Sequence, residues 1–283
     1  MGISAKNADS LLALADIKML KINEQTVPFR KGIRVKDLVG SYKPGADLFI
    51  VNGYPVSQDA LLADNDVCCL IRRGETPTAE ELESLLVARH TPGVHEAVRK
   101  AKVGIMGLGG LGSVVAGALA RIGVGKLVLA DFDVVEPSNL NRQHYSISQI
   151  GMKKTRALKE NLLQINPYVM IETVDARLTE ETIPEVFNGV DIVAECLDDP
   201  VMKAAAMRSV LTSLPAVGYV GASGLAGYGD NNSIRTQKIH DSVYIIGDGT
   251  SAAGPGCGLM APRVGIAAHH QANQILRILL GKD

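Results

Sequence analysis

The stretch VGIMGLGGLGSVVAGALARIG, residues 103–123, decides the fold that this sequence predicts. It begins as a short apolar run, passes through a glycine-rich turn, and continues as a segment rich in alanine and valine. Gly107, Gly109 and Gly112 fit the pattern G-x-G-x-x-G, with Gly110 between them. Strand, turn and helix in that order are the context in which this pattern predicts a nucleotide site. The glycines allow a tight turn and a close approach of phosphate to the N–H groups that begin the helix.

A carboxylate lies at the end of the next predicted strand, where nucleotide-binding folds of this kind usually have one. The next apolar run, KLVLADFD at residues 126–133, reaches Asp131, which lies 24 residues after Gly107. A carboxylate at the end of the second strand usually accepts hydrogen bonds from ribose hydroxyls. The turn and the acid together predict an adenine nucleotide, and a nicotinamide-dependent dehydrogenase would share both features.

The rest of the chain after residue 102 alternates strand and helix patterns. Apolar runs predict strands at 103–108, 126–133, 169–176, 190–198 and 215–224. Amphipathic or alanine-rich runs predict helices at 113–123, 153–166, 200–213 and 264–280. This alternation predicts an α/β fold, with a Rossmann-like, mostly parallel sheet that carries helices on both faces.

The N-terminal region has a different pattern of short strands and turns. KMLKINEQTVPF alternates about Asn23-Glu24 and predicts a hairpin, and a second turn is expected at Asn52-Gly53. With a helix at VKDLVGSY and a strand at VCCLI, this order predicts a small β-grasp (ubiquitin-like) domain. We therefore predict three parts: the β-grasp domain at 1–75, a helical linker at 76–101 and the Rossmann-like domain at 102–283. Thr78 is the expected N-cap of the first linker helix.

Composition limits the classes of function. The chain has 283 residues, of which 46% are hydrophobic, and a net charge of −1. This balance predicts no nucleic-acid partner and no membrane-surface partner. The N-terminus has no basic segment followed by a long apolar run, so we expect no secretory signal and a soluble, cytoplasmic protein. The four cysteines show no CxxC pair, so no structural zinc is expected.

A polar cluster follows the second strand. The run DFDVVEPSNLNRQHY, residues 131–145, carries Asn139, Arg142 and Gln143. Loops at the carboxyl ends of parallel strands face the ligand crevice. Arg142 can bind a triphosphate through two N–H groups, and Lys154, which opens the next helix, adds a point charge. Two such cations suit a triphosphate better than the diphosphate of a dinucleotide. The alternative to a phosphate site is that this segment is a solvated loop and that Lys154 is an ordinary exposed lysine.

Two adjacent carboxylates, Asp198 and Asp199, follow the strand VDIVAECL. Carboxylates in this position suit Mg²⁺, which shares oxygen ligands with phosphate. Asp199 also precedes Pro200, an arrangement typical of a helix N-cap with proline in the first turn. We expect Asp198 to bind the metal and Asp199 to cap the helix.

Together these residues resemble the family of ubiquitin-activating-type adenylyltransferases, and most nearly its ThiF branch, which acts on a sulfur carrier in thiamine biosynthesis. The resemblance runs from about Arg89 to Gly281. It rests on GLGGLGS at 107–113, DFD at 131–133, SNLNRQ at 138–143, the segment 151–154, CLDD at 196–199 and GLMAPRVGIAAHHQANQILRILLG at 258–281.

The resemblance implies the chemistry. ATP and Mg²⁺ would be the cofactors, and the terminal carboxylate of a small Gly-Gly-ended sulfur-carrier protein would attack the α-phosphorus, giving an acyl-adenylate and pyrophosphate. Asp198, Arg142 and Lys154 would be the catalytic residues, with Asp198 on the metal. The implied nucleotide-binding residues are Gly107, Gly109, Gly110, Gly112, Asp131, Asp133, Asn139, Arg142, Gln143, Lys154 and Arg89. Arg89 would reach the ATP site of the partner subunit in a homodimer.

Three features depart from that family. The chain has no CxxC zinc pairs, and Asp199 stands where relatives commonly have asparagine. Residues 221–255 contain no cysteine, and we predict that Cys257 is buried against the last helix. A persulfide of a separate sulfur-donor protein would then resolve the adenylate.

The N-terminal region resembles the sulfur carrier itself, of the ThiS type. It continues through Arg73-Gly74-Glu75 instead of ending in a free Gly-Gly, so we infer a fused, non-reactive carrier-like domain. Four alternatives remain open at this point. They are a molybdopterin or other carrier as substrate, an ATP-dependent enzyme acting on tRNA, a nicotinamide-dependent oxidoreductase, and a non-catalytic scaffold.

Overall fold

The computed structural model describes residues 18–23 and 25–282. They form two compact units that divide between Pro92 and Gly93. Residues 1–17, on which the expectation about a secretory signal rests, lie outside the described residues, as does Glu24 of the first predicted turn. The three-part division at residues 75 and 101 stays a prediction.

The first unit is built on a five-stranded sheet in the order β2-β1-β5-β3-β4. The two central strands, β1 and β5, are parallel, and their neighbours are antiparallel. The predicted hairpin about Asn52-Gly53 is present between β3 and β4. The strands are β1 Met19–Ile22, β2 Gln25–Pro28, β3 Leu48–Val51, β4 Tyr54–Val56 and β5 Val67–Ile71.

Helices cover both faces of this small sheet. Helix α1, Val35–Tyr42, packs on one face. Helix α2, Ala79–Arg89, begins at the predicted N-cap Thr78 and places Leu85 against the cluster that contains Cys69 on the other face. Although the sequence assigned α2 to a linker, its apolar side completes the core of the first unit. The small β-grasp domain predicted for the N-terminal region is confirmed.

The second unit contains a seven-stranded sheet in the order β11-β12-β10-β9-β6-β7-β8. All neighbouring strands are parallel except β11, which pairs antiparallel with β12 at one edge. The Rossmann-like, mostly parallel sheet is therefore confirmed. The strands are β6 Lys102–Met106, β7 Lys126–Ala130, β8 Met170–Val174, β9 Ile192–Glu195, β10 Gly218–Ala222, β11 Arg235–His240 and β12 Val243–Gly247.

Helices lie on both faces of the large sheet and enclose two cores. They are α3 Val94–Lys100, α4 Gly110–Arg121, α5 Lys154–Ile165, α6 Ile183–Val186, α7 Pro200–Ser213 and α8 Ala261–Leu279. One core joins α3, α4, α5 and α8 to the sheet, and the other joins α6 and α7 to the opposite face. Successive side chains of β6 point to opposite faces of the sheet, so that Ile105 belongs to the first core and Met106 to the second. Within the described residues no helix has the length and apolarity to cross a bilayer.

The sequence did not predict α6, β11 or β12. Helix α6 has four residues, too few to show a helical period. Every residue of β11 is exposed, so its sequence RTQKIH carries no apolar alternation. Strand β12, VYIIG, is a short apolar run, and periodicity alone does not distinguish such a run as a strand from a buried segment of a helix.

The close contact between the glycine turn and helix α4 depends on Gly112. A Cβ atom at this position would lie 2.0 Å from the carbonyl oxygen of Gly107, which is backbone and cannot move aside. Gly117, later in the same helix, has no such neighbour, since the nearest atom to its Cβ position would be 4.0 Å away. The third glycine of the motif is therefore required by packing.

We predict that Gly112→Ala destabilises the fold by about 3 kcal/mol, because the added methyl group forces the turn away from the helix. Gly117→Ala is the matched control and should raise the unfolding free energy by about 0.5–1 kcal/mol through helix propensity. Urea unfolding followed by circular dichroism measures both. Equal stabilities for the two variants would contradict this account of the turn.

Candidate active site

A cavity of about 730 Å³ lies at the carboxyl ends of the central strands of the large sheet. The chain runs outward from β6 through β7 to β8, then returns to β9 on the other side of β6. The strand order therefore reverses between β6 and β9, and open α/β sheets bind ligands at such a switch point. The topology therefore places the cavity at this edge of the sheet.

The glycine turn forms one wall of the cavity. Gly107 follows β6 with φ of +81°, and its N–H donates to the carbonyl of Ala130 at 2.9 Å. Gly109 and Gly110 come next and begin α4. Gly107, Gly109 and Gly110 line the cavity. Gly112 does not, since it lies where the helix packs on the turn.

The carboxylate of Asp131 is fixed by backbone N–H groups. Its Oδ2 accepts from the N–H of Leu108 at 2.7 Å, and its Oδ1 accepts from the N–H of Asp133 at 2.8 Å. Asp131 is buried but still lines the cavity. A carboxylate has about four acceptor positions, so two remain for a ligand.

Lys154 is buried beside the cavity instead of exposed on a helix. Its Nζ lies 2.9 Å from Oδ2 of Asp133, and its side chain is 8% exposed. Its backbone N–H also donates to the carbonyl of Asp133 at 3.0 Å. The alternative of an ordinary exposed lysine is therefore wrong. An ammonium group has three donors, and this pair uses one of them.

Arg142 and Gln143 line the same cavity. Nη1 of Arg142 donates to the carbonyl of Ser138 at 3.2 Å and to Oδ1 of Asn141 at 2.8 Å. Gln143 is buried, and its Oε1 has no hydrogen-bond partner among the described residues.

Besides Gly112, two predicted site residues are absent from the cavity lining. The side-chain oxygen of Asn139 accepts from the backbone N–H of Glu136 at 3.0 Å and closes a single turn outside the cavity lining. Arg89 is the last residue of α2 in the first unit. The roles that the resemblance implied for Asn139 and Arg89 stay predictions.

The two adjacent aspartates divide their tasks. Asp199 caps α7, accepting from the N–H of Val201 at 2.8 Å with Pro200 in the first turn, which confirms the predicted cap. Asp198 is exposed, lines the cavity and forms no hydrogen bond or ion pair with another described residue. Among residues 18–23 and 25–282, no cluster of three or more potential metal-ligating side chains exists. A cation here would therefore be held by one carboxylate together with ligand oxygens.

Sequence reasoning missed two pairs of side chains in the cavity wall. Arg177 stacks over the ring of Phe132 at 4.0 Å from the ring centre. Lys203, on α7, pairs with the buried Glu195 at the end of β9. The signal for the second pair was available, because a glutamate at the end of an otherwise apolar strand needs a partner.

The far wall of the cavity includes residues 223–226, in the loop that follows β10, and residues 251–253, in the loop that follows β12. The buried Arg263 of α8 ties the two together. It donates to the carbonyls of Gly229 and Asp230 on the first loop and to Oδ2 of Asp248 on the second, at 2.8–3.0 Å. The two loops are also joined directly by backbone hydrogen bonds, from the N–H of Asp248 to the carbonyl of Gly224 at 2.8 Å and from the N–H of Gly249 to the carbonyl of Ser223 at 3.1 Å. Arg263 is therefore one of several links between them.

Asp248 is ionised by its surroundings. Burial alone would raise its pKa, but N–H groups of Ser251 and Thr250 and the Arg263 guanidinium outweigh burial and hold the pKa well below its usual range. The ion pair therefore persists at any pH at which the fold is ordinarily studied.

The expectation of a buried Cys257 is wrong. Cys257 lies in the loop before α8 and is partly exposed, because the chain turns outward at Gly254–Cys257 before it enters the helix. Cys196 is the cysteine that is buried in the cavity wall, and burial raises the pKa of its thiol. Its thiol therefore remains protonated and is not a nucleophile.

Comparison with protein families gives two matches that divide the chain. The sequence model of the ThiF family matches residues 83–283, and that of ThiS-like ubiquitin matches residues 19–74. The first covers more than half of the chain.

Curated relatives agree with the first match. The molybdopterin-synthase adenylyltransferase of Haemophilus influenzae is 33% identical over 207 residues, which cover 65% of this chain and 77% of that protein. The ubiquitin-like modifier-activating enzyme 5 of Caenorhabditis briggsae is 38% identical over 116 residues, which cover 37% of this chain and 27% of that protein. The alignment thus spans most of the first relative but little more than a quarter of the second.

Solved structures share the fold. The tRNA N6-threonylcarbamoyladenosine dehydratase of Escherichia coli, crystallised with ATP, superposes with a TM-score of 0.61 at 22% identity, over 67% of this chain and 89% of that one. The same enzyme with AMP gives 0.65 at 20% identity, over 74% and 99%. At these identities the similarity concerns the fold alone.

We predict that Asp248→Asn lowers the unfolding free energy at pH 7 by about 3 kcal/mol or more, because it leaves the buried Arg263 charge without a counter-ion. The pKa of Asp248 is lower in the folded chain than in the unfolded chain. Its stabilising contribution is therefore complete above the unfolded value and is lost as the pH falls below about 4. The difference between wild type and variant should be constant from pH 7 to pH 5 and shrink below pH 4 in urea unfolding.

Asp241→Asn is the control, since Asp241 is almost fully exposed beside Lys238 and its loss should change little. A wild-type advantage over Asp248→Asn that grows as the pH falls would contradict the assignment.

Proposed function

Since this chain belongs to the ThiF family, we propose that it is an adenylyltransferase that uses ATP to activate the C-terminal glycine carboxylate of a small sulfur-carrier protein. A carboxylate oxygen of the carrier attacks the α-phosphorus, the bond from that phosphorus to the bridging oxygen breaks, and pyrophosphate leaves. The product is an acyl-adenylate. The observation that carries the proposal is the meeting of the glycine turn, Arg142, Lys154 and Asp198 in one cavity.

The glycine turn supports the binding of a polyphosphate. The N–H groups that begin α4 have no partner within the helix and carry the positive end of its dipole. Gly109 and Gly110 have no side chain to keep phosphate away from these groups. Asp131 keeps acceptor positions for ribose hydroxyls, since the N–H groups of Leu108 and Asp133 occupy only two of them.

The two cations support the departure of pyrophosphate. Lys154 is held in place by Asp133 before any ligand arrives, and Arg142 is held by the loop carbonyl of Ser138. Preorganised charges of this kind stabilise developing negative charge without reorganising during the reaction. No protein nucleophile is needed, because the carrier supplies the attacking oxygen and the enzyme positions the reactants.

Asp198 fits the role of the Mg²⁺ ligand. Its carboxylate is exposed on the cavity wall with no protein partner among the described residues, and magnesium in nucleotide sites is typically held by one or two carboxylates plus phosphate oxygens. When bound, Mg²⁺ neutralises charge on the leaving phosphates.

We further propose that the carrier belongs to thiamine biosynthesis and that the chain works as a cytoplasmic homodimer with Arg89 acting across the interface. A separate sulfur-donor protein would resolve the adenylate through a persulfide. A molybdopterin carrier is the second candidate, favoured by the name of the Haemophilus influenzae relative. The fused carrier-like domain argues for a protein substrate in both cases, against tRNA and against an oxidoreductase.

The experiment is pyrophosphate exchange into ATP with purified Gly-Gly-ended carriers of the thiamine type and of the molybdopterin type. Exchange should require one carrier and Mg²⁺, and mass spectrometry should show that carrier with one AMP attached. A carrier of the same type without its last glycine is the control. Tight NADH binding with no exchange for either carrier would contradict the proposal.

We predict that Asp198→Ala lowers the exchange rate about 100-fold or more, because the metal-bound triphosphate loses its protein anchor. Asp199→Asn is the matched control, since asparagine caps a helix as well as aspartate does, and exchange should stay within about threefold of wild type. Both variants should fold, as judged by circular dichroism. Wild-type exchange in Asp198→Ala would remove Asp198 from the mechanism.

A further inference from the structure

A buried ion pair lies directly behind the segment that carries Asp198. Nζ of Lys203 is 2.8 Å from Oε1 of Glu195, and the side chain of Glu195 is 2% exposed. Lys203 lies in the first turn of α7, where the helix dipole disfavours a positive charge. Burying a charge pair also has a desolvation cost that apolar residues of similar size would avoid. Stability alone is therefore a poor reason for this pair.

The pair holds the peptide groups on both sides of Leu197. The N–H of Leu197 donates to Oε1 of Glu195 at 2.7 Å, and Nζ of Lys203 donates to the carbonyl of Leu197 at 2.9 Å. The next residue is Asp198, and the one after it is fixed as the N-cap of α7. Asp198 is therefore placed between two anchored neighbours, although its own carboxylate is unrestrained.

The glutamate is itself anchored to the sheet and to the last helix. The hydroxyl of Tyr219 on β10 donates to Oε2 of Glu195 at 3.4 Å. Nε2 of the fully buried Gln271 on α8 donates to the backbone carbonyl of Glu195 at 3.0 Å. The turn after β9 thus takes its position from β10 and α8, and Lys203 adds a second contact between Glu195 and the loop, through the carbonyl of Leu197.

We infer that Glu195 and Lys203 are positioning residues that set the carboxylate of Asp198 toward the triphosphate. The inference rests on the proposed function and deepens it. Lys203 lines the cavity, and two of the three donors of its ammonium group are taken by Glu195 and by the carbonyl of Leu197. The contact with the carbonyl of Leu197 is the route by which it acts on the backbone that bears Asp198.

The kinetic test compares Lys203→Met with Lys203→Arg in pyrophosphate exchange. A displaced carboxylate should lower the maximal rate about 10- to 100-fold while the KM for ATP stays within about threefold, because misplacement affects the transition state more than ATP binding. Lys203→Arg keeps a donor to both acceptors and should recover the rate to within about threefold. Lys126→Met is the matched control, since Lys126 also pairs with a glutamate, at 2.6 Å, but at the amino end of β7.

A double variant shows whether Lys203 acts through Asp198. In the Asp198→Ala background, adding Lys203→Met should cost less than about twofold in rate, because residues that act as a unit are not additive. Losses that multiply would overturn the inference, since Lys203 would then act on the substrate by itself.

Amide hydrogen exchange tests the positioning without any carrier. In Lys203→Met, and in the shape-conserving Glu195→Gln, the amide of Leu197 should exchange about tenfold faster, while amides of β6 and β7 keep their protection and show that the fold is intact. Unchanged protection of Leu197 would overturn the inference. A different outcome is that wild type activates no carrier while the amide of Leu197 still loses protection in the two variants. The proposed function then fails, and the Glu195–Lys203 pair only stabilises the turn, which also overturns the assignment of the pair to adenylation.

Discussion

Backbone-to-backbone contact at the switch point between β6 and β9 is the constraint on which the rest of this protein depends. A Cβ atom at Gly107 would lie 2.9 Å from the carbonyl oxygen of Cys196, and one at Gly112 would lie 2.0 Å from that of Gly107. Only residues without side chains allow the turn, the next strand end and the helix to come this close. The distance between the carboxyl ends of β6 and β9 determines where the cavity lies, and the candidate site residues on the cavity wall are arranged around these two strand ends.

The charges around the cavity are arranged before any ligand binds. Lys154 is paired with Asp133, Lys203 with Glu195, and Arg263 with Asp248. Each cation is anchored by a carboxylate from a different loop or strand end, so the pairs also hold the walls of the cavity at fixed positions. Asp198 is the exception among these acids, because it has no partner among the described residues. A lone carboxylate on a wall held by ion pairs is a suitable anchor for a ligand-bound cation.

The fused carrier-like unit shows how closely sequence patterns can define a small fold. Its hairpins and strands follow from alternation and from the Asn52-Gly53 turn, and the structure has them at those positions. The place of helix α2 was harder to predict, because its apolar face is narrow and its first turn is acidic. What assigned α2 to the first unit was the contact of Leu85 with the second face of the sheet, which a local pattern does not encode.

The sequence by itself determined the α/β class, the nucleotide turn, the cap at Asp199 and the set of polar residues after each strand, because these depend on local spacing and on the period of apolar residues. Tertiary structure alone decided which of those residues share a wall. It buried Lys154, left Asn139 outside the cavity and exposed Cys257 in part. It also paired Glu195 with Lys203, eight positions apart on different elements. Burial and pairing depend on how separate elements pack against one another, so the spacing of residues along the chain does not specify them.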